Sequence, residues 1–139
     1  MSPTKKQEGF SAEEKAAMRA RAKELKAAAE GEEAVVSALA EMSPKDRALG
    51  KRIHAIVKKN APDLTPKTWY GMPAYANKDG KVVVFFRDAG KFKERYAMLG
   101  FNDTANLDDG SMWPIAFAVT KLTKAGEASI GRLIQQAVS

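Results

Sequence analysis

The segment from Thr68 to Phe86, TWYGMPAYANKDGKVVVFF, decides the fold class of this chain. A stretch rich in aromatic residues is followed by Lys78-Asp79-Gly80 and then by a run of valines and phenylalanines. An Asp-Gly pair between two apolar runs is a strong signal for a β-hairpin. The segment therefore predicts at least two antiparallel strands.

The first of these strands contains a glycine and a proline, which strand interiors rarely tolerate. If residues 69–75 are extended, Pro73 cannot donate a ladder hydrogen bond, and Gly71 suggests a bulge or a close backbone approach. We therefore expect this strand to be an edge of the sheet or to bend at Gly71-Met72-Pro73.

Helices are predicted before this segment and after it. Ser11 and Glu14 have the spacing of a capping box, Ser43 precedes Pro44 as an N-cap, and Thr123 caps a last helix. The helices before the segment are predicted at residues 11–29, 32–41 and 43–60, and Gly31 separates the first two. After the segment we predict strands at residues 96–101 and 112–119 and then the C-terminal helix. This order predicts an α+β fold, in which an antiparallel sheet of about four or five strands carries N-terminal helices and a C-terminal helix on one face.

The composition is that of a globular protein. The chain has 139 residues, 45% of them hydrophobic and 29% charged, a net charge of +6, and no cysteine. It contains neither an apolar run of about 18 residues nor an apolar segment behind its N-terminus, so we expect a cytoplasmic protein without a membrane partner. We divide it into a basic tail with an extra helix, residues 1–30, and an α+β domain, residues 31–139.

Aromatic residues around the Gly-Met-Pro break form the most informative cluster. A bend beside Trp and Tyr rings, together with the second break at Met112-Trp113-Pro114, predicts an apolar pocket for a flat small molecule or a partner's side chain. The alternative is that these rings fill a small core. The candidate ligand-binding residues are Trp69, Tyr70, Met72, Pro73, Tyr75, Phe86 and Trp113.

A basic stripe on the third predicted helix is the second candidate. Arg47, Lys51 and Lys58 align opposite its apolar face and provide the charge that sequence-independent nucleic-acid binding needs. Charged residues opposite an apolar stripe are also the ordinary solvated face of a helix. Because no recognition motif accompanies the stripe, a nucleic-acid partner is not favoured.

Catalytic and metal-binding patterns are weak. With one histidine, His54, and no cysteine, the chain builds neither a familiar zinc site nor a Ser-His-Asp triad, and we expect His54 to be an ordinary exposed residue. We therefore expect no enzymatic activity and no bound cofactor. The candidate carboxylates for a hard cation are Glu32, Glu33, Asp108 and Asp109, with Asp103 in the same loop as the last two.

The motif residues resemble those of the YdhG-like family of small bacterial domains. The resemblance rests on Ala61-Pro62-Asp63, Trp69-Tyr70-Gly71-Met72-Pro73-Ala74-Tyr75 and the run Gly80–Phe86, and it covers roughly residues 33–138. It implies helices packed on an antiparallel sheet, similar in outline to frataxin. It also implies iron handling as an alternative to small-molecule binding, although the chain departs from a carboxylate-rich iron surface by being basic.

Overall fold

The computed structural model describes residues 10–139, so residues 1–9 of the predicted basic tail lie outside the described residues. Five strands form one sheet in the order β1-β2-β3-β4-β5, and all neighbouring strands are antiparallel. The elements are α1 (Ala12–Ala40), α2 (Pro44–Asn60), β1 (Thr65–Trp69), β2 (Met72–Ala76), β3 (Val82–Arg87), the one-turn α3 (Ala89–Phe92), β4 (Ala97–Phe101), β5 (Ala116–Val119) and α4 (Lys124–Ala137). The predicted α+β fold with an antiparallel sheet is confirmed.

The predicted N-caps of the long helices are present. The Ser11 hydroxyl accepts a hydrogen bond from the Glu14 amide, and the Glu14 carboxylate accepts one from the Ser11 amide, which completes the capping box. Ser43 accepts from the Asp46 amide, and Thr123 accepts from the Gly126 amide. Local chemistry therefore determines where these three helices begin.

The predicted break at Gly31 is wrong, because α1 continues through this residue to Ala40. A Cβ atom at Gly31 would lie 1.8 Å from the carbonyl oxygen of Pro66 in β1. Glycine weakens a helix by about 1 kcal/mol without necessarily ending it. Here its missing side chain allows the helix backbone to contact the first strand.

The two halves of α1 differ in their environment. Every side chain from Ala12 to Ala27 is exposed, including the apolar Leu25, whereas Val35 and Leu39 are buried in the core. The first half therefore extends away from the domain, and the second half packs against it. The expected boundary between residues 30 and 31 falls inside this continuous helix.

One hydrophobic core lies between the helices and one face of the sheet, which we call the inner face. The helices contribute residues such as Ile53, Val57 and Ile134, and the sheet contributes residues such as Val84 and Leu99. Strand β5 starts only at Ala116, four residues later than the prediction. The opposite, outer face of the sheet carries none of the three long helices.

Candidate ligand-binding site

The Trp69–Met72 segment is a tight hairpin turn and not the middle of a strand. Trp69, the last residue of β1, pairs with Met72, the first residue of β2, and Tyr70 and Gly71 between them have φ angles of 51° and 76°. Positive φ at both central residues is the requirement of a type I′ turn, which matches the twist of a two-residue hairpin. The turn conformation therefore explains Gly71.

Of the two predicted alternatives, the bend at Gly71-Met72-Pro73 corresponds to this turn, and the edge position is wrong, because β2 pairs with both β1 and β3. Pro73 lies opposite Thr68 of β1, and the pairing of β2 with β3 begins one residue later, at Ala74. The missing N–H of Pro73 therefore falls near the start of β2, before the pairing of β2 with β3 begins.

The predicted ligand-binding residues are distributed over the molecule. Tyr75 and Phe86 are buried in the core, and Met72 and Pro73 are also buried. Trp113 lies half-buried in the loop between β4 and β5, where it packs against the core. Only two members of the set remain accessible next to each other, the half-buried Trp69 and the exposed Tyr70.

A third ring, Phe85, joins this pair on the outer face of the sheet. The Trp69 ring centroid lies 4.9 Å from that of Tyr70 at an interplanar angle of 64°, and 5.2 Å from that of Phe85 at 56°. We call these three residues the aromatic platform. Phe86, a predicted ligand-binding residue, faces the core, whereas its neighbour Phe85 is half-buried on the outer face.

Small residues leave room for the Phe85 ring. Phe85 lies opposite Ala74 of β2 and Gly100 of β4, and a Cβ atom at Gly100 would be 2.3 Å from the Cζ atom of Phe85. The ring therefore lies over the backbone of β4.

The sequence signal for Phe85 is incomplete. Strand alternation predicts that Phe85 and Phe86 face opposite sides of the sheet, but it does not predict which of the two sides the helices cover.

A cleft of about 470 Å³ adjoins the platform at Trp69. Two lysines line it, Lys67 of β1 and Lys81 at the start of β3, together with Asn102, Thr104 and the carboxylate of Asp103. Of the four surface clefts described here, this is the one that contains a predicted ligand-binding residue. None of the four is lined by both Trp69 and Trp113.

The sheet region is basic. Between Thr65 and Phe101 the chain has seven Lys or Arg residues and three Asp or Glu residues. One of the three acids, Asp88, is buried and accepts a hydrogen bond from the Lys91 amide, and another, Glu94, forms an ion pair with Arg87. The segment that contains β1 to β4 is therefore basic as a whole, and two of its lysines, Lys67 and Lys81, line the cleft beside Trp69.

The predicted basic stripe on α2 is largely engaged within the protein. The guanidinium of Arg47 donates to the carbonyl oxygens of Ala40 and Met42, at the end of α1. Lys58 donates to Glu32 at 3.0 Å, and Lys51 is exposed. Arg47 and Lys58, two of the three residues predicted to contact phosphate, therefore already have partners within the protein.

His54 is not the exposed residue that the sequence suggested. Its Nε2 atom lies 2.6 Å from a Glu32 carboxylate oxygen, and its Nδ1 atom lies 2.7 Å from the Tyr75 hydroxyl oxygen. When the imidazole is neutral, Nε2–H donates to Glu32 and Nδ1 accepts from the Tyr75 hydroxyl; when it is protonated, both nitrogens donate. The network connects α1, α2 and β2.

The pKa values within this network are shifted. Burial, with a smaller contribution from the negative charge of Glu32, raises the pKa of the Tyr75 hydroxyl well above its ordinary value. Burial also acts to raise the pKa of Glu32, but hydrogen bonds and charge from His54 and Lys58 outweigh it, so the pKa is lowered. Because the side chain of Tyr75 is buried, we interpret the network as structural.

The carboxylates considered for iron do not converge. Both oxygens of Glu32 have partners, and Glu33, Asp108 and Asp109 are exposed. Among residues 10–139, no group of three or more histidine, aspartate and glutamate side chains is arranged to hold a metal ion.

Comparisons with protein-family models, with curated proteins and with solved structures each found no match. Within the described part of the chain, no helix combines the length and the apolar character needed to cross a membrane.

Proposed function

We propose that this chain is a non-enzymatic, cytoplasmic binding domain of the YdhG-like type, and that the aromatic platform holds a planar aromatic group of its ligand. The observation that carries the proposal is the contact series Tyr70–Trp69–Phe85 on the sheet face that bears no long helix. Aromatic rings at such positions bind flat groups by stacking and by excluding water.

The conformation of Tyr70 supports this proposal. A tyrosine side chain that is 80% exposed contributes little to a core, and its φ of 51° lies in the left-handed region that non-glycine residues avoid. Strained residues of this kind cluster at binding sites, where the surrounding structure maintains them. A ligand that contacts the ring provides a reason for an aromatic residue in a turn that favours Asn or Gly.

The iron-handling alternative has less support from the described residues. Glu32, its most enclosed carboxylate, already binds His54 and Lys58, and the other candidate carboxylates are exposed. The alternative of nucleic-acid binding through α2 is similarly weakened by the internal partners of Arg47 and Lys58.

Titration with a panel of planar heteroaromatic compounds, followed by amide NMR shifts, tests the proposal. We expect the shifts to concentrate at Trp69, Tyr70 and Phe85. Trp69→Leu should weaken binding about tenfold or more, since stacking on an aromatic side chain contributes about 1–3 kcal/mol. Trp113→Phe is the matched control and should bind as the unaltered protein does. Shifts confined to the helices or to the surroundings of Trp113 would contradict the proposal.

A further inference from the structure

We infer that the ligand of the aromatic platform is a single-stranded nucleic acid, whose bases stack on the platform while its phosphates contact the lysines around it. This inference rests on the proposed function, because it identifies the class of ligand for the same site. The site differs from the basic stripe on α2, which lies on another element.

The rings suit unpaired bases. Tyr70, Trp69 and Phe85 follow one another at centroid distances of about 5 Å. Antiparallel sheets that bind single-stranded RNA present aromatic side chains on an open face, where two or three bases stack. Because every base has a π-face, such a platform accepts many sequences. A base-paired duplex keeps its bases stacked on one another and offers no free face to these rings.

Positive charges lie on both sides of the platform. Lys67 and Lys81 line the cleft that adjoins Trp69. On the side of the hairpin turn, the Lys91 ammonium lies so close to Gly71 that a Cβ atom there would be 2.3 Å from it. A strand that crosses the rings would therefore bring its phosphates near lysines before and after the stacked bases.

The acidic groups near the site are few. Asp103 is the carboxylate that lines the cleft, and Glu94 is engaged with Arg87. Lys67 and Lys81 contribute two positive charges to the cleft against the single charge of Asp103. This balance favours a polyanion over a neutral aromatic compound, and the rings favour a nucleic acid over a purely acidic peptide.

Fluorescence anisotropy with labelled oligothymidylate and oligouridylate of about 12 nucleotides, a length within the site sizes of single-strand binding folds, tests the inference. The unaltered full chain should bind both single strands more tightly than a duplex of the same length. If three lysines contact phosphates, the dissociation constant should rise roughly twentyfold between about 50 and 200 mM salt.

Variants separate the platform from the rest of the basic surface. Trp69→Leu should weaken single-strand binding about tenfold or more. The double variant Lys67→Gln/Lys81→Gln should weaken binding and lower the slope of log affinity against log salt by about 1.4. The matched control Lys51→Gln/Lys59→Gln removes the same charge from the exposed surface of α2. Its slope of log affinity against log salt should equal that of the unaltered protein. Thermal unfolding of each variant verifies that it is folded. Because Tyr70 is exposed, the substitution Tyr70→Asn provides a second test of stacking.

The outcomes distinguish this inference from the function on which it rests. If planar heteroaromatic compounds bind at Trp69 but no oligonucleotide binds, the nucleic-acid inference is wrong and the proposed function survives. If neither binds, both are wrong. Equal binding of duplex and single strand, equal binding of an acidic peptide, or loss of binding only in the α2 variant would each overturn the inference.

Discussion

At the scale of one residue, Tyr70 adopts a backbone conformation that costs stability, while its ring belongs to the proposed binding site. It occupies the first central position of the type I′ turn between β1 and β2, where Asn-Gly or Asp-Gly is the common choice. A tyrosine there bears a steric cost, since its Cβ crowds the backbone at positive φ. Its ring compensates in part through the contact with Trp69, at 4.9 Å between centroids. Gly71 therefore favours the hairpin turn, whereas Tyr70 is less stable at its position than Asn or Asp would be.

We expect Tyr70→Asn to raise the free energy of unfolding by about 1 kcal/mol, because asparagine tolerates the left-handed conformation. Urea denaturation measures this change. The same variant should bind planar aromatic ligands more weakly, since it removes the outermost ring of the platform. Tyr70→Phe is the control and should preserve both the stability and the stacking. A Tyr70→Asn protein that is less stable than the original would show that the contact with Trp69 outweighs the backbone strain.

At the scale of the elements, the packing of α1 against β1 depends on one missing side chain. The backbone of Gly31 approaches the Pro66 carbonyl so closely that no Cβ atom fits between them. This close approach brings the second half of α1 onto the domain and places Glu32, the next residue, within reach of His54 on α2. The exposed first half of α1 has no such constraint.

We expect Gly31→Ala to destabilise the protein by about 2–3 kcal/mol, because helix and strand must separate to accommodate the methyl group, as in other overpacked contacts. Helix propensity alone predicts the opposite sign, a stabilisation of about 1 kcal/mol. Urea denaturation therefore decides between the two effects, and a more stable variant would contradict the tight contact with Pro66.

At the scale of the whole molecule, three elements meet in the network of Glu32, His54 and Tyr75. It joins α1, α2 and β2 through hydrogen bonds of 2.6 Å and 2.7 Å. Lys58 adds a second partner for Glu32. The polar groups of this region therefore satisfy one another, which reduces the cost of burying them.

The network makes stability depend on pH through Glu32. Its pKa in the folded protein lies below the ordinary 4.5, so its carboxylate contributes stability above that pH, and the contribution is lost as the pH falls through the folded-state pKa. Glu32→Gln should lower the free energy of unfolding by about 1 kcal/mol at neutral pH, at the low end for bonds to charged groups because the side chain is 33% exposed.

Below the folded-state pKa, the difference between Glu32→Gln and the unaltered protein should disappear. Urea denaturation as a function of pH measures it, and the exposed neighbour Glu33→Gln is the matched control, expected to follow the unaltered protein throughout. A difference that stays constant with pH would indicate that Glu32 acts through packing and not through its charge.

The sequence alone was sufficient to predict where the three long helices begin and that β-strands lie between α2 and α4, but it predicted neither the continuity of α1 through Gly31 nor the turn at Tyr70-Gly71. The N-caps Ser11, Ser43 and Thr123, the Asp79-Gly80 turn and the run of β-branched residues after it act through neighbours in the chain, so their effects are visible without a structure. The α+β class with an antiparallel sheet follows from the order of these elements.

Tertiary structure decided everything that depends on contacts between distant residues. Gly31 continues a helix because Pro66 lies against it, and His54 is engaged because Glu32 and Tyr75 approach it from two other elements. The outward direction of Phe85 depends on strand register and on which face of the sheet the helices cover, which no local pattern specifies. A sequence pattern encodes which side chains share a face, but only the packed structure determines which face is covered and which remains open to a ligand.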